Sequence, residues 1–227
     1  MEKNNESTSS FQLEKNFNEN LVFLNPSSDI EIKERNLPHW QQGNTVYFVT
    51  FHLADSIPQD KAESLRHERE FWKLNHKEPY SEQDLKEFYH LFSERIENLL
   101  NNGHGSCCLA DTANAQIVAN ALLNFDHERY ILYEWVVMPN HVHVLIKPLC
   151  GNQLSDILHS WKSYTANAIN KRLGKSGQFW MRESYDHIIR NEKSFVKIKE
   201  YIRNNPIKAG IKQSTSSFQL EKEKLKI

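Results

Sequence analysis

Cysteine is scarce in this 227-residue chain. Its three copies, Cys107, Cys108 and Cys150, are odd in number, two are adjacent, and no CxxC pair occurs. That pattern argues against a disulfide framework or a structural zinc site and fits a reducing cytosol. A long apolar run is missing too. Nothing approaches the roughly 20 residues that a membrane span needs, so no membrane partner is expected. The N-terminus, MEKNNESTSS, is polar and is not expected to act as a signal peptide. A net charge of one sign is also absent, the formal total being −1.

The distribution of charge is uneven. Residues 160–212 hold 12 Lys and Arg against 4 Asp and Glu, a surplus of +8, and the remainder carries −9. A basic C-terminal region on an acidic body suits a polyanion partner, although a solvated helix face gives the same count. Apolar residues make up 39%, enough for a core, and the length suits one domain with an added arm. The expected division is a flexible arm over 1–36, a domain over 37–211 and a tail over 212–227. The nonapeptide STSSFQLEK occurs twice, at Ser7–Lys15 and Ser214–Lys222. The intervening sequence is not periodic, so this is no fold repeat. A DNA element repeated at the two ends of the gene would explain it; a duplicated binding peptide would also.

Periodicity places a strand in Asn44–Leu53 and helices over Asp60–Asn75, Ser81–Leu100 and Ala113–Phe125. Strands come next at Tyr130–Val137 and His141–Lys147. A helix covers Leu154–Arg172, short extended pieces cover Gly177–Met181 and His187–Arg190, and Asn191 caps a last helix. Pro206 is expected to end that helix near Asn205. The order predicts an α+β fold: a ferredoxin-like, split βαβ antiparallel sheet with helices on one face and a helical insertion after the first strand. Such a sheet can leave its other face open.

The segment WVVMPNHVHVLIKP holds the chemistry. Side chains alternate along a strand, so Val142, Val144 and Ile146 share the core face and His141 and His143 the opposite one. Two imidazoles about 7 Å apart along a strand can hold one metal ion, or can be two surface histidines. In the last helix Lys197, Tyr201 and Asn205 fall at i, i+4 and i+8, beside an apolar stripe of Phe195, Ile198 and Ile202. A tyrosine aimed at a metal-bearing face reads as a nucleophile, and an asparagine can offer oxygen to a hard cation such as Mg²⁺ or Mn²⁺.

These pieces resemble a known family. LPHW, YFVTFHLADS, FSERIENLLNNGHGSC, WVVMPNHVHVLIKPL, LHSWKSYTANAINKRLG, FWMRESYDHIIR and YIRNNPIKAG, from about Leu37 to Ile211, are similar to the REP-associated tyrosine transposases. That family is related to the single-tyrosine insertion-sequence transposases within the HUH nuclease superfamily. The resemblance implies that His141 and His143 are the metal ligands, that Tyr201 is the catalytic nucleophile, and that Asn205 completes the metal site. One departure is visible: the family usually has Gln after the tryptophan of its W-Q element, where this chain has Met181.

The resemblance also implies a metal-dependent single-stranded DNA endonuclease and strand transferase. It would use Mg²⁺ or Mn²⁺, act on hairpin-forming REP-like repeat DNA, and pass through a 5′-phosphotyrosine. The protein would be a monomer or homodimer in the cytoplasm, associated with the nucleoid. Lys162, Lys171, Arg172, Lys175, Arg182 and Arg190 would hold the DNA backbone. Lys197 would contact phosphate or favour the phenolate. Trp161 and Phe179 would stack on bases, and Trp180 suits the core better. Tyr164 and Tyr185 compete with Tyr201 but lack an amide one turn later. Asp186 and His187 are second-rank candidates for orienting a ligand. Rival functions are a hydrolase without a covalent intermediate and a non-catalytic or domesticated nucleic-acid-binding module.

Overall fold

A computed structural model describes residues 21–25, 27–28, 31–34, 38–77, 80–211 and 214–224. The first STSSFQLEK copy and most of the predicted arm lie outside the described residues. The elements in chain order are β1 (Glu31–Glu34), β2 (Pro38–Gln41), β3 (Tyr47–His52), α1 (Gln59–Asn75), α2 (Glu82–Phe88), a π turn (Tyr89–Ser93) and α3 (Glu94–Asn101). They continue with a 3₁₀ turn (Cys108–Ala110), α4 (Thr112–Leu123), β4 (Tyr130–Val137), β5 (His141–Pro148), α5 (Leu154–Leu173), β6 (Tyr185–Ile188), α6 (Glu192–Lys208), β7 (Thr215–Ser216) and α7 (Ser217–Lys224).

The main sheet is five-stranded, in the order β6-β3-β5-β4-β7, and every pairing is antiparallel. β3 and β5 set the register that matters: Thr50 lies opposite His143 and His52 opposite His141. A bulge at Tyr133 shifts the β4–β5 pairing between Leu132 and Glu134. That extra residue changes which β4 side chains face the histidine side of the sheet.

Period-2 patterning divides the sheet cleanly. Tyr47, Val49, Phe51, Val142, Val144 and Ile146 form one face and pack with Val118 and Leu122 of α4 and Ile157, Trp161 and Ile169 of α5. The opposite face carries Val46, Phe48, Val136 and Leu145. Here the expectation of an open surface fails, because α6 lies on it through Phe195 and Ile202. The physical reason is the apolar stripe of α6, which has to be buried against something. The histidine face is therefore covered, and both imidazoles are buried.

Local signals account for the helix boundaries. Asp111 caps α4 by accepting the Ala113 N–H at 2.8 Å, and Asn191 caps α6 by accepting the Ser194 N–H at 2.9 Å. Ser81 and Asp84 form a reciprocal cap before α2, the Asp84 N–H reaching Ser81 Oγ at 3.1 Å and the Ser81 N–H reaching Asp84 Oδ2 at 2.8 Å. Pro206 does not stop α6, which runs on to Lys208. Proline supplies no N–H for the carbonyl four residues earlier. The turn survives with Pro206 buried, and the Ala209 N–H closes onto Asn205 O at 3.1 Å. Gly177–Met181 forms no strand, only a single bridge between Leu53 and Trp180.

The insertion, α1 to α3, has its own core of Leu65, Trp72, Phe88, Phe92, Ile96 and Leu100. It is tied to the sheet at its end. The Ser106 N–H donates to Asp55 Oδ2 at 2.8 Å. Gly105 has φ +85°, and a Cβ there would meet Asp55 O at 2.3 Å, so this close approach requires glycine.

Candidate active site

His141 and His143 project from β5 beneath α6, and their Nε2 atoms are 3.1 Å apart. Their other ring nitrogens are held. His141 Nδ1 lies 2.7 Å from Asn140 Oδ1, and His143 Nδ1 lies 2.8 Å from Thr50 Oγ1. The Asn140 amide cannot be turned freely, because its Nδ2 donates to Leu100 O at 3.1 Å and His104 O at 3.2 Å. Its oxygen must then accept, which puts the proton of His141 on Nδ1 and leaves a lone pair on Nε2. Burial keeps the rings neutral. It is the main force pushing His141 well below the usual imidazole range, with His143 and His52 adding to it, and it pushes His143 down to about 3.

Two nitrogens bound at about 2.0–2.1 Å to one ion, roughly at right angles, lie about 3 Å apart. The observed separation fits that arrangement. Fixing the far nitrogen by a hydrogen bond is what histidine ligands require. Among the described residues no cluster of three or more His, Cys, Asp or Glu is placed to share an ion. The amide of Asn205, buried on α6, is a third available donor. Its oxygen is the atom that can face a cation, while its buried Nδ2, which has no hydrogen-bond partner, can only donate and suits an anionic oxygen instead. The residues present fit a divalent cation.

Tyr201 stands beside this pair. Its ring centroid is 5.4 Å from His143 and 6.0 Å from Phe48, and Lys208 Nζ lies 5.8 Å from the ring centre on the same helix. The hydroxyl is buried and completes no hydrogen bond. Burial first, and the Glu97 carboxyl second, raise the phenol above its usual value, while the nearby amides of Asn205 and Asn101 lower it. Glu97 reaches the site from α3 of the insertion. Burial pushes its carboxyl up to about 7, against the influence of Tyr201.

Other sequence-predicted residues divide between site and scaffold. Trp161 does not stack on bases: it is 3% exposed, in the core, with Nε1 donating to Tyr130 OH at 3.0 Å. Trp180 is likewise buried, its Nε1 donating to Thr165 Oγ1 at 2.9 Å. Lys162 is spent internally, donating to Arg182 O at 2.9 Å and to Ser184 Oγ at 3.1 Å. Arg172 pairs with Asp111 and Asn114, both at 3.0 Å. Lys171, Lys175, Arg182, Arg190 and Lys197 are exposed. Lys171 and Lys175 belong to the α5 side of the sheet, whereas Lys197 and Arg190 flank the Tyr201 side, so the predicted cations do not form one patch. Tyr164 is 60% exposed on α5, on the face away from the histidines. Tyr185 is stacked on His52 at 6.0 Å, and burial lifts its phenol to about 12. His187 packs edge-on against Phe48 at 5.3 Å and burial lowers it to about 4.

The sequence reading missed Thr50, Asn140 and Glu97. Asn140 was within reach, since it adjoins the HxH motif after a proline. Thr50 and Glu97 carry no local signal, being 93 and 104 residues from the partners they face.

Residues 113–205, which contain both histidines, Tyr201 and Asn205, match the family described as "Transposase IS200 like". Over that segment the chain resembles the IS200-like transposases, as its motifs imply. An uncharacterized protein of Haemophilus influenzae is 36% identical over 96 residues, covering 33% of this chain and 53% of that protein. The chain thus spans about half the length of this curated relative. Among solved structures, a REP-associated tyrosine transposase bound to a REP hairpin aligns at 18% identity and TM-score 0.47, over 79% of this chain and 74% of that one. A chain described as a transposase from Deinococcus radiodurans aligns at 13% identity and TM-score 0.28, over 70% of this chain and 89% of that one. Among the described residues no helix is long and apolar enough to cross a membrane.

Proposed function

We propose that the chain is a transposase that cleaves and rejoins single-stranded, hairpin-forming repeat DNA, with Tyr201 as the nucleophile. The observation that carries this reading is the placement of the Tyr201 ring 5.4 Å from His143, beside two converging Nε2 atoms. The family match over residues 113–205 supports the same reaction class.

His141, His143 and Asn205 would hold Mg²⁺ or Mn²⁺, which when bound would polarise the scissile phosphate and offset developing charge. Tyr201 Oη attacks phosphorus, the bond from phosphorus to the 3′ oxygen breaks, and a 5′-phosphotyrosine and a 3′-hydroxyl result. The phenol proton goes to Glu97, whose pKa of about 7 suits a general base at neutral pH, and a proton is returned to the leaving 3′ oxygen. The 3′-hydroxyl of a strand can attack the phosphotyrosine in turn. The bond energy is kept in the ester, which a water nucleophile would lose. Asn140 keeps the His141 Nε2 lone pair aimed inward, and Thr50 holds the His143 ring so that its Nε2 points the same way. The exposed cations Lys197 and Arg190 offer phosphate contacts on the Tyr201 side.

The test is a denaturing gel. Labelled single strands carrying the palindromic repeat nearest the gene are mixed with the protein and Mn²⁺. A retarded band that needs the metal and resists denaturation is expected, and none with Tyr201→Phe. Cleavage without such a band would instead identify a hydrolase.

A further inference from the structure

The second STSSFQLEK copy is docked on the edge of the main sheet. Thr215 and Ser216 add a strand to the outer edge of β4, opposite Val137 and Val136. Ser216 is fully buried, and its Oγ accepts the Gln219 N–H at 3.3 Å to start α7. Ser217 Oγ accepts the Trp135 N–H at 3.1 Å and donates to the buried Glu134 carboxylate. Leu220 packs onto the main core. Every one of these contacts is made from within the nonapeptide.

The first copy is the same molecule chemically: Thr8, Ser9, Ser10 and Leu13 repeat Thr215, Ser216, Ser217 and Leu220. A site that takes one can take the other by the same contacts. Phe23 meets the Phe195 ring at 6.4 Å, and Tyr133 of β4 meets the same ring at 5.1 Å. Six residue steps separate Lys15 from Leu21, which packs in that cluster. They span up to about 20 Å when extended. We propose that the β4 edge is a recognition site for STSSFQLEK and that the copy at residues 7–15 of the same chain exchanges there with the copy at 214–222.

The exchange has a structural consequence. Glu134 is shared between the bound peptide and α6, its other oxygen accepting from Arg203 Nε at 2.6 Å. Arg203 is two residues from Tyr201, so an occupied edge steadies the helix that carries the tyrosine, whichever copy fills it. This inference does not rest on the nuclease reading or on how the duplication arose.

The test uses the full chain and the hydrogen exchange of the Trp135 amide. Ser217→Asp places a second carboxylate against Glu134 and expels the second copy. Ser217→Asp alone should leave the Trp135 amide protected, because the first copy takes over. Ser217→Asp with Ser10→Asp should lose at least tenfold in protection. Full loss in the single variant, or none in the double, overturns the proposal. Should the double variant be unstable, added synthetic STSSFQLEK, but not a scrambled peptide, must restore its melting temperature; absence of rescue also overturns it. Protection in the single variant that depends on protein concentration would place the first copy on a neighbouring chain and sink the intramolecular exchange.

Discussion

Asn140 and His141 are joined side chain to side chain, Oδ1 to Nδ1 at 2.7 Å, and through Asn140 the histidine pair is joined to the insertion. The helical insertion is therefore part of the site. It supplies the carbonyl that orients Asn140, and it supplies Glu97.

Asn140→Ala should leave buried carbonyls and an imidazole N–H unpaired, at a cost of about 1–3 kcal/mol. It should also weaken Mn²⁺ binding by about 10–100-fold, as loss of a group orienting a ligand does. Urea unfolding reads the first effect and calorimetric titration the second. A stability loss with unchanged metal affinity would separate Asn140 from the site.

Tyr201→Phe removes a buried hydroxyl that lies among the Glu97, Asn205 and Asn101 side chains but closes no well-formed hydrogen bond with them. Stability should be unchanged or slightly raised, by at most about 1–2 kcal/mol, because an unsatisfied polar group is lost. A marked fall in melting temperature would mean that the hydroxyl is structurally bonded.

Glu97→Gln should slow formation of the covalent adduct by about 10²–10⁴-fold if Glu97 takes the phenol proton. Metal affinity should not change. The same variant reports on pH. A carboxyl raised to about 7 from its usual 4.5 stabilises the fold fully below about pH 4.5 and loses that contribution as pH rises to 7. Between pH 4.5 and 7 the glutamine variant should therefore gain stability relative to the parent as pH rises.

The histidines act with the opposite sign. His52 and His187 are lowered to about 4 and His143 to about 3, mainly by burial. Their contribution is present above the ordinary value of 6.5 and is lost as pH falls toward 4 and below. With these groups outnumbering Glu97, urea midpoints should drop steadily from pH 6.5 to 4.5. A midpoint that held constant or rose over that range would contradict the buried, neutral assignment.

Much of the site was legible because it is periodic. His141 and His143 sit at i and i+2 of a strand with a continuous apolar face, and Tyr201 and Asn205 at i and i+4 of a helix. The covering of the histidine face was implicit in Phe195, Ile198 and Ile202, a stripe needing a surface to bury it. Burial of Trp161 and the internal hydrogen bonds of Lys162 were not legible, since a helix sequence does not say which of its faces meets the sheet. Pro206 was misleading because its local preference against helix is weaker than the packing that buries it. Glu97 and Thr50 become neighbours of the site only through tertiary structure. The tail gave no periodic signal at all: a two-residue strand is fixed by the edge it joins.

Locating the DNA attachment tests the role of Tyr201 most directly. The adduct formed with Mn²⁺ would be digested with nuclease and trypsin and the modified peptide sequenced by mass spectrometry. A nucleotide on Tyr201 is expected, in the tryptic peptide Glu200–Arg203. Attachment at Tyr164 or Tyr185, or cleavage with no modified tyrosine, would contradict the assignment.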